Sequence, residues 1–285
     1  MAAVILDGKK LAKSIRAGFA EKVAGLNGRR VPGLSAILVG DDPASAVYVS
    51  SKEKACRKAG YHTDTRTLPA ETSREKLLDT INELNHDNKI DGILLQMPIP
   101  KHLERNEMVS AISIEKDVDG FHPLNQGKLF LDIDGFVPCT PKGIIRILEE
   151  YKITLKGANA VVVGRSLLVG KPVAMLLMRN HATISILHSR TRGLSEYTKL
   201  ADIIVVAAGV PNIVTADMVK PGAVIIDVGI NKLEDESIVG DVDYDSVSQV
   251  AGYITPVPGG VGPMTIAMLL ENTWMSYAKR EGITD

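Results

Sequence analysis

The chain has 285 residues, of which 45% are hydrophobic and 24% are charged, and this composition excludes a disordered polypeptide. At nearly twice the roughly 150 residues expected of one domain, it is long enough for two compact units. The 33 basic and 34 acidic residues almost cancel, so no overall field attracts the protein to nucleic acid or to an anionic membrane.

Cysteine content and the N-terminus indicate the compartment. Two cysteines, Cys56 and Cys139, are too few for a secreted disulfide scaffold and favour the reducing cytoplasm. The apolar run 2–6 is too short for a signal peptide, so we expect folding to start at residue 1. The longest uncharged stretch, 246–270, is interrupted by prolines and glycines, so we expect no membrane-spanning helix and no membrane partner.

Short aliphatic runs alternate with helical patterns along most of the chain, which predicts an α/β fold with parallel sheets. The expected elements of the first half are strands at 35–39, 61–68 and 92–95 and helices at 44–59 and 74–85. Asp42 followed by Pro43 is a favourable start for the first of these helices, and Thr72 and Ser73 are both favourable caps for the second.

Segment 117–138 is rich in turn residues and lacks periodicity, so we expect irregular structure there and place the domain boundary at its end. The expected elements beyond it are a helix at 142–151, strands at 160–163, 183–187, 203–207 and 223–227, and a final helix at 264–279. Because these strands are continuous apolar runs, we expect each to be buried on both faces. The predicted domains are 1–138 with the C-terminal helix 264–285, and 139–263.

A glycine-bounded turn follows the predicted strand 160–163 and begins with Gly164, Arg165 and Ser166. Such a turn lets backbone amides at a helix N-terminus face a phosphate group. It departs from the G-x-G-x-x-G pattern, because Ser166 stands at the second glycine position and Gly170 is displaced by one residue. Taken alone, the turn is equally typical of a strand-to-helix connection that binds no nucleotide.

The next predicted strand ends in His188, Ser189 and Arg190, where an NAD site would carry an acidic residue for the ribose hydroxyls. Ser189 can donate to a 2′-phosphate, and Arg165 or Arg190 can pair with it. We therefore infer NADP rather than NAD. The alternative for Arg190 is a solvated loop charge.

Lys52 lies within a largely apolar arc of the predicted helix 44–59. The arc comprises Val47, Tyr48, Ser51, Lys52, Ala55, Cys56 and Ala59. Burial there would lower the pKa of Lys52, so that the neutral amine acts as a base or proton shuttle. The alternative is a lysine whose stem packs on the arc while its ammonium reaches solvent. Tyr48 would hydrogen-bond the amine or stack on a planar ligand. The alternative is that Tyr48 is an ordinary half-buried core tyrosine.

Three further features are candidates for ligand contacts. Gln96 follows the strand 92–95 at its carboxyl end, where it can serve a ligand, Lys52 or its own loop. Asp117 and Asp119 flank a turn made with Gly120, and Asp-Gly is first of all a turn signal, but an inward carboxylate there would suit a heterocycle with an amidine-like donor pair. Loop 256–265 is rich in proline and glycine, and it either lets a flat ligand approach the backbone or connects the domains rigidly. We predict no metal site.

Six motifs, taken in order, resemble the bifunctional methylenetetrahydrofolate dehydrogenase/methenyltetrahydrofolate cyclohydrolase family. They are Tyr48-Val-Ser-Ser-Lys52, Asp91-Gly-Ile-Leu-Leu-Gln96-Met-Pro98, Lys116-Asp-Val-Asp-Gly120, Gly164-Arg-Ser166, His188-Ser189 and Pro258-Gly-Gly-Val-Gly-Pro-Met-Thr265. The last is the most specific, and the set spans nearly the whole chain. Met97 and Ile99 stand where leucines are usual in the family, which exchanges one apolar side chain for another.

The resemblance implies NADP-dependent oxidation of 5,10-methylenetetrahydrofolate to 5,10-methenyltetrahydrofolate, followed by hydrolysis to 10-formyltetrahydrofolate. It implies a homodimer in which each subunit has a folate-binding domain and a Rossmann-type NADP-binding domain with a cleft between them. Lys52 would be the central catalytic residue, with Tyr48 and Gln96 shaping its site and Asp119 anchoring the pterin.

The same resemblance assigns the remaining ligand contacts. Pro258 and Gly259 would line the folate site. The residues implied to contact NADP are Gly164, Arg165, Ser166, Ser189 and Ile230. Two other interpretations stay open at this point: a different NADP-dependent Rossmann dehydrogenase of the shikimate type, which has no evident need for loop 256–265, and a non-catalytic nucleotide sensor.

Overall fold

The computed structural model describes residues 2–283, and these form two compact units. The six-stranded unit combines Thr140–Thr265 with the N-terminal segment up to Ala12. The three-stranded unit combines Lys13–Cys139 with the C-terminal segment that begins at Ile266. Residues 284 and 285 of the predicted range 264–285 lie outside the described residues.

Strands and helices alternate along most of the described chain, as the sequence predicts. The strands are β1 Val4–Ile5, β2 Gly33–Val39, β3 His62–Leu68, β4 Gly92–Leu95, β5 Asn159–Val163, β6 Thr183–Leu187, β7 Ile203–Val206, β8 Val224–Asp227, β9 Asn231–Lys232, β10 Ile238–Val239 and β11 Tyr253–Ile254. The helices are α1 Gly8–Ala24, α2 Pro43–Lys58, α3 Arg74–His86, α4 Arg105–Ser110, α5 Pro123–Phe130, α6 Cys139–Glu150, α7 Gly170–Arg179, α8 Leu194–Thr198, α9 Tyr244–Val247 and α10 Val261–Glu281.

The six-stranded unit is built on a parallel sheet with the order β1-β11-β8-β7-β5-β6. β7 and β8 are buried along their whole length, and β5 is buried beyond its first residue, as their continuous apolar sequences predict. The same prediction is wrong for β6, whose Ile186 is 37% exposed. β6 is the last strand of this sheet on the side of β5, so within residues 2–283 no strand pairs with its outer edge.

The three-stranded unit is built on the parallel sheet β3-β2-β4. All seven residues of the central strand β2 are buried, whereas the edge strand β3 is polar and partly exposed. The predicted start at Asp42 is confirmed, since its carboxylate accepts the Ser45 N–H at 2.8 Å, and of the two candidate caps Thr72 and Ser73 it is Ser73 whose Oγ accepts the Lys76 N–H at 3.2 Å. The sheet fixes the position of α2, the helix that carries Lys52.

The N-terminal segment belongs to the six-stranded unit, whereas the sequence-based boundaries put it in the range 1–138. β1 pairs in parallel with β11, with Val4 opposite Tyr253 and Ile5 opposite Ile254. This pairing joins segments about 250 residues apart in sequence, and no local pattern in a two-residue strand indicates such a partner.

The prediction of irregular structure over 117–138 is wrong for α5. Pro123 occupies the first turn, and His122 Nδ1 accepts the Leu124 N–H at 3.1 Å, so the helix has a good N-terminal cap. Only Asn125 and Leu129 are buried along α5, which leaves no apolar periodicity to find in the sequence. The final helix is confirmed as α10, with Leu269, Trp274 and Tyr277 buried.

Within residues 2–283, none of the helices combines the length and the apolar character needed to cross a bilayer.

Candidate active site and dinucleotide site

Lys52 lies in the middle of α2, and its ammonium meets the side chain of Gln96. Lys52 Nζ donates to Gln96 Oε1 at 3.0 Å, and Gln96 Nε2 donates to the main-chain oxygen of Met97 at 2.7 Å. Gln96 follows β4 directly, and its backbone N–H continues the sheet ladder with a 2.9 Å bond to the Ile37 oxygen. The amide is thus held by its own loop with its oxygen directed at Lys52.

The apolar arc predicted around Lys52 is only partly buried. Val49 and Cys56 pack inward, but Val47 is 65% exposed and Tyr48 is 43% exposed. Five residues correspond to about 140° around a helix, so grouping Val47 with Lys52 was wrong. Lys52 is half-buried, and Tyr48, one turn earlier, is not a core tyrosine.

Asp119 lies close enough to Lys52 for the two charges to interact. Burial raises the pKa of Asp119, while the Lys52 charge and the nearby Cys139 thiol act against that rise. The turn that carries Asp119 needs Gly120, which has φ +71° and where a Cβ would lie 2.6 Å from Pro138 N. Lys52, Gln96 and Asp119 therefore converge on one polar site in the three-stranded unit.

Asp117, two residues earlier, has a structural environment of its own. Its carboxylate accepts N–H groups from Phe121 at 3.1 Å, from His122 at 2.8 Å and from the Asn125 side chain at 2.7 Å. Burial raises the pKa of Asp117 to about 7, although these three donors oppose the rise. Asp117 thus connects the turn at Gly120 to the start of α5. From the sequence, Asp117 was interpreted only as a turn residue.

Two residues that sequence reasoning did not single out hold the turn of Asp119. The Cys139 thiol donates to the Val118 oxygen at 3.4 Å. Asn272, on α10, donates its side-chain N–H groups to the oxygens of Val118 at 2.8 Å and Val137 at 3.0 Å. A fully buried asparagine needs such partners, but its burial gives no signal in the sequence, where Glu271 and Thr273 flank Asn272.

In the six-stranded unit, the turn between β5 and α7 depends on two glycines. Gly164 has φ +129°, and a Cβ there would lie 2.2 Å from the Ala207 oxygen. A Cβ at Gly170 would lie 2.4 Å from the Gly164 oxygen. The displaced second glycine therefore lets the start of α7 approach the turn closely, which is the packing function of the last glycine in a dinucleotide-binding turn.

Ser166 and Arg165 occupy the exposed part of this turn. Ser166 Oγ accepts the N–H groups of Val169 at 3.1 Å and Gly170 at 3.2 Å, so it holds the turn that leads into α7. Its hydroxyl hydrogen remains available to an acceptor, and Arg165 carries a positive charge beside it. Both residues fit a phosphate at a helix N-terminus.

Ser189 and Arg190 lie at the carboxyl end of β6, next to that turn. The two loops adjoin because β5 pairs with β6 and the Gly164 N–H donates to the Leu187 oxygen at 2.8 Å. The His188 ring nitrogen Nδ1 accepts the Arg190 N–H at 3.2 Å, which holds the loop backbone. The side chains of Ser189 and Arg190 are exposed and form no hydrogen bond within residues 2–283.

Ile230, Pro258 and Gly259 also belong to the six-stranded unit. Ile230 is 50% exposed, and a Cβ at Gly262 would lie 3.9 Å from its Cδ1. Gly259 has φ +115°, and its oxygen accepts the Lys9 N–H at 2.8 Å. These residues are therefore in a different unit from Tyr48, Lys52, Gln96 and Asp119.

A pair of buried acids was missed by sequence reasoning. Asp241 Oδ2 accepts the N–H groups of Ala208 at 2.7 Å and Gly209 at 2.8 Å, just beyond β7. Asp227, at the end of β8, accepts the N–H groups of Gly229 and Asp241, both at 2.9 Å, and burial raises its pKa to about 6. The acids fix the loops at the carboxyl ends of β7 and β8, where ligands of parallel sheets bind.

The described part of the chain contains no group of three or more His, Cys, Asp or Glu side chains arranged to hold a metal ion. Cys56 and Cys139 are both buried, and they are not joined in a disulfide.

These features define a class. A parallel sheet with a glycine turn at β5–α7 and a serine-arginine loop after the adjacent strand is a Rossmann-type dinucleotide-binding unit. It is combined here with a second α/β unit that carries a lysine, an amide and a carboxyl group in one site.

The chain belongs to the tetrahydrofolate dehydrogenase/cyclohydrolase family. Residues 6–119 match the family model for the catalytic domain, and residues 138–281 match the model for the NAD(P)-binding domain. Bifunctional protein FolD of Campylobacter hominis is 53% identical over 277 residues, which cover 97% of this chain and 98% of that protein. FolD of Moorella thermoacetica is 53% identical over 274 residues, covering 96% and 98%.

Solved structures agree with the family. The bifunctional methylenetetrahydrofolate dehydrogenase/cyclohydrolase of Campylobacter jejuni has a TM-score of 0.96 at 49% identity, covering 98% of this chain and 100% of that one. The Trypanosoma brucei enzyme, complexed with NADP cofactor and inhibitor, has a TM-score of 0.95 at 37% identity, covering 100% of both chains. Shikimate 5-dehydrogenase of Thermus thermophilus, at 14% identity and a TM-score of 0.52, covers 87% and 94% and shares the fold alone.

Proposed function

We propose that this chain oxidises 5,10-methylenetetrahydrofolate with NADP and then hydrolyses the 5,10-methenyl product to 10-formyltetrahydrofolate. The observation that carries the proposal is the 3.0 Å hydrogen bond between Lys52 Nζ and Gln96 Oε1, beside the carboxyl group of Asp119. Family membership over nearly the whole chain supports the same two activities, because the FolD relatives are bifunctional. A shikimate-type activity has only the shared fold in its favour.

Lys52 serves mainly the hydrolytic half of the reaction. The methenyl carbon is cationic and takes up water, and a neutral amine next to it accepts a proton from that water. Gln96 Oε1 accepts one N–H of Lys52 and so directs the nitrogen. Tyr48, exposed one turn before Lys52, offers a ring face on which a planar folate can stack.

Asp119 anchors the pterin in this proposal. A pterin presents two adjacent N–H donors, and a carboxyl group accepts both in a fork. Pro258 and Gly259 line the folate site from the loop before α10, where a side-chain-poor backbone leaves room for a flat ligand.

The residues of the six-stranded unit fit NADP. The backbone at Gly164, the hydroxyl of Ser166 and the guanidinium of Arg165 would hold phosphate, and Ser189 with Arg190 would hold the 2′-phosphate. Ile230 adds an exposed apolar contact. When bound, NADP supplies the acceptor for the hydride that leaves the methylene carbon. The domain of 139–263 is accordingly assigned to NADP, and 1–138 with 264–285 to folate, apart from the N-terminal segment that pairs through β1.

We also propose a cytoplasmic homodimer, and the open edge of the six-stranded sheet supports self-association. β6 leaves one side unpaired within residues 2–283, and Ile186 on it is 37% exposed. Tyr197 and Leu200, soon after β6, are 44% and 69% exposed. An Ile186→Lys variant is expected to sediment as a monomer, and an unchanged dimer would rule out this edge as the interface.

One assay tests the activity against its alternatives. Protein, methylenetetrahydrofolate and NADP are mixed, and the absorbance of methenyltetrahydrofolate and its later decay are followed. A rise that needs the protein and NADP, followed by a decay faster than the uncatalysed one, supports both activities. Turnover of shikimate instead, or binding of NADP without any turnover, would overturn the proposal.

A further inference from the structure

Asn272 lies on the part of α10 that belongs to the three-stranded unit, and its side chain joins two separate segments of that unit. Its Nδ2 group donates to the main-chain oxygen of Val118 at 2.8 Å and to that of Val137 at 3.0 Å. The side chain is completely buried. One amide thus connects the residue just before Asp119 with a segment that returns to it from later in the chain.

The turn of Asp119 packs directly on that second segment. A Cβ at Gly120 would lie 2.6 Å from Pro138 N and 2.7 Å from the carbonyl carbon of Val137, so the two backbones touch with no side chain between them. Such a contact has no side-chain rotamers that can adjust. The hydrogen bonds that join the two backbones therefore determine where the turn lies.

The helix that carries Asn272 is itself anchored to the sheet of the same unit. One turn after Asn272, Ser276 Oγ lies 2.7 Å from the main-chain oxygens of both Asp91 and Glu115, close enough to donate to either. Arg280, a further turn along, donates to the Asp91 carboxylate at 2.7 Å. Because Asp91 directly precedes β4, the amide of Asn272 is held in register with the strand that ends at the candidate site.

The bond to Val118 acts on the backbone of Asp119 at the shortest possible range. The Val118 oxygen and the Asp119 Cα belong to the same planar peptide group. When Asn272 fixes the orientation of that plane, it also fixes the point from which the Asp119 side chain starts. Hydrogen bonds weaken steeply when donor and acceptor are misaligned, so a carboxyl group that accepts two N–H donors at once depends on this orientation.

We propose that Asn272 is a positioning residue for the Asp119 carboxyl group and that it sets the affinity for the pterin ring through that group. Its burial keeps Asn272 itself away from the ligand. This inference rests on the proposed function, in which Asp119 anchors the pterin, and it adds to that function a residue on the last helix of the chain. It distinguishes Asn272 from a buried polar group that serves stability alone.

The test is a double-mutant cycle on the affinity for tetrahydrofolate, which carries the pterin but no one-carbon unit and so binds without reacting. Its Kd is measured by titration calorimetry for the wild type, Asn272→Ala, Asp119→Ala and the double variant. A pair of hydrogen bonds to a carboxylate is worth roughly 10- to 100-fold in affinity. We expect Asn272→Ala to weaken binding about tenfold in the wild-type background and by less than about twofold when Asp119 is already alanine.

Thr273→Val is the matched control. Thr273 is also fully buried on α10, but its hydroxyl donates to the Leu269 oxygen of the same helix at 2.8 Å and so does not hold the turn. The valine variant should lower the thermal midpoint and leave the Kd unchanged. If Asn272→Ala does not fold, Asn272→Ser takes its place in the cycle. Its hydroxyl retains one donor, and we expect binding to weaken by about threefold.

Two results would overturn the proposal: wild-type affinity in the folded Asn272 variant, or the same loss of affinity whether or not Asp119 is present. The second result would mean that Asn272 acts on the protein as a whole. If the wild type itself does not bind tetrahydrofolate, the proposed function fails. That outcome differs from binding by the wild type that substitution of Asn272 leaves unchanged.

Discussion

Lys52 Nζ donates a 3.0 Å hydrogen bond to Gln96 Oε1, although the two residues are 44 positions apart. The bond joins the middle of α2 to the carboxyl end of β4. Since Gln96 is only 8% exposed and is held by its own loop, it fixes the position of the amine rather than following it. Gln96 is a neutral acceptor, so it adds no charge beside the amine, whereas a carboxylate in the same place would favour the ammonium form.

Gln96→Glu should therefore shift the pH dependence of hydrolysis. A carboxylate beside Lys52 favours the ammonium form, so a higher pH is needed to produce the neutral amine. We expect the rising limb of the pH–rate profile to move up by about one unit or more. The profile of methenyltetrahydrofolate hydrolysis measures this, and an unchanged profile would show that Gln96 does not act on the base.

Asp117→Asn should change how stability depends on pH. Burial raises the pKa of Asp117 from its ordinary value of 3.8 to about 7, so between these values the folded state binds more protons than the unfolded state. The contribution of this group is fully present below about pH 4 and is lost as the pH rises towards 7, by at most about 1.4 kcal/mol per pH unit.

The matched measurement is the free energy of unfolding of wild type and Asp117→Asn at pH 5 and pH 8. The variant places an amide where N–H groups of Phe121 and His122 point, so it is less stable at both values, by roughly 1–3 kcal/mol. We expect the deficit to be larger at pH 5. A deficit that grows at pH 8 would mean that the Asp117 carboxyl group is ionised in the folded protein well below pH 7.

Ser189→Asp should reverse the cofactor preference. A carboxylate at the end of β6 repels a 2′-phosphate and accepts hydrogen bonds from ribose hydroxyls. We expect kcat/KM for NADP to fall by about 100-fold, while that for NAD is kept or rises. Gln249→Glu adds the same charge at an exposed position of the six-stranded unit and should leave the ratio unchanged. Equal kcat/KM for the two cofactors in the wild type would contradict the inference of NADP.

Gly170→Ala should destabilise the six-stranded unit. Its Cβ would lie 2.4 Å from the Gly164 oxygen, so the turn must move away from α7. We expect a loss of about 2 kcal/mol or more in the free energy of unfolding and weaker NADP binding. Gly127→Ala, in α5, has nothing within 4 Å of the new Cβ and should gain roughly 0.5–1 kcal/mol. Chemical denaturation measures both, and a neutral Gly170→Ala would refute the packing argument.

The sequence predicts those parts of the fold that depend on local patterns. The strands 92–95 and 183–187 agree with β4 and β6 to the residue, because apolar runs between turn residues define them sharply. The exposure of β6 was not predictable, since its place at the edge of the sheet depends on strand order. β1 and its partner β11 were missed for the same reason, because each contributes two residues to a pairing over a long sequence separation.

The candidate site divides in the same way. The sequence offers Lys52 as one of three possible partners of Gln96, because Lys52 lies on a predicted helix and Gln96 lies at the carboxyl end of a predicted strand, where polar side chains meet ligands. The role of Asp227 and Asp241 could not be predicted, since acids next to glycines are also ordinary turn residues. Their role depends on backbone N–H groups that three different loops bring to the two carboxylates. Buried polar networks of this kind become visible only when the burial of each group is known.

The central claim is that the Lys52 amine takes the proton from water during hydrolysis, and Lys52→Met tests it most directly. The apolar side chain keeps the length of the lysine stem and removes the nitrogen. We measure the rate of methenyltetrahydrofolate hydrolysis, with Lys76→Met as the matched exposed control and thermal midpoints as the check on folding. The account predicts a fall of at least about 100-fold for Lys52→Met and no change for Lys76→Met. Hydrolysis at the wild-type rate in folded Lys52→Met would contradict it.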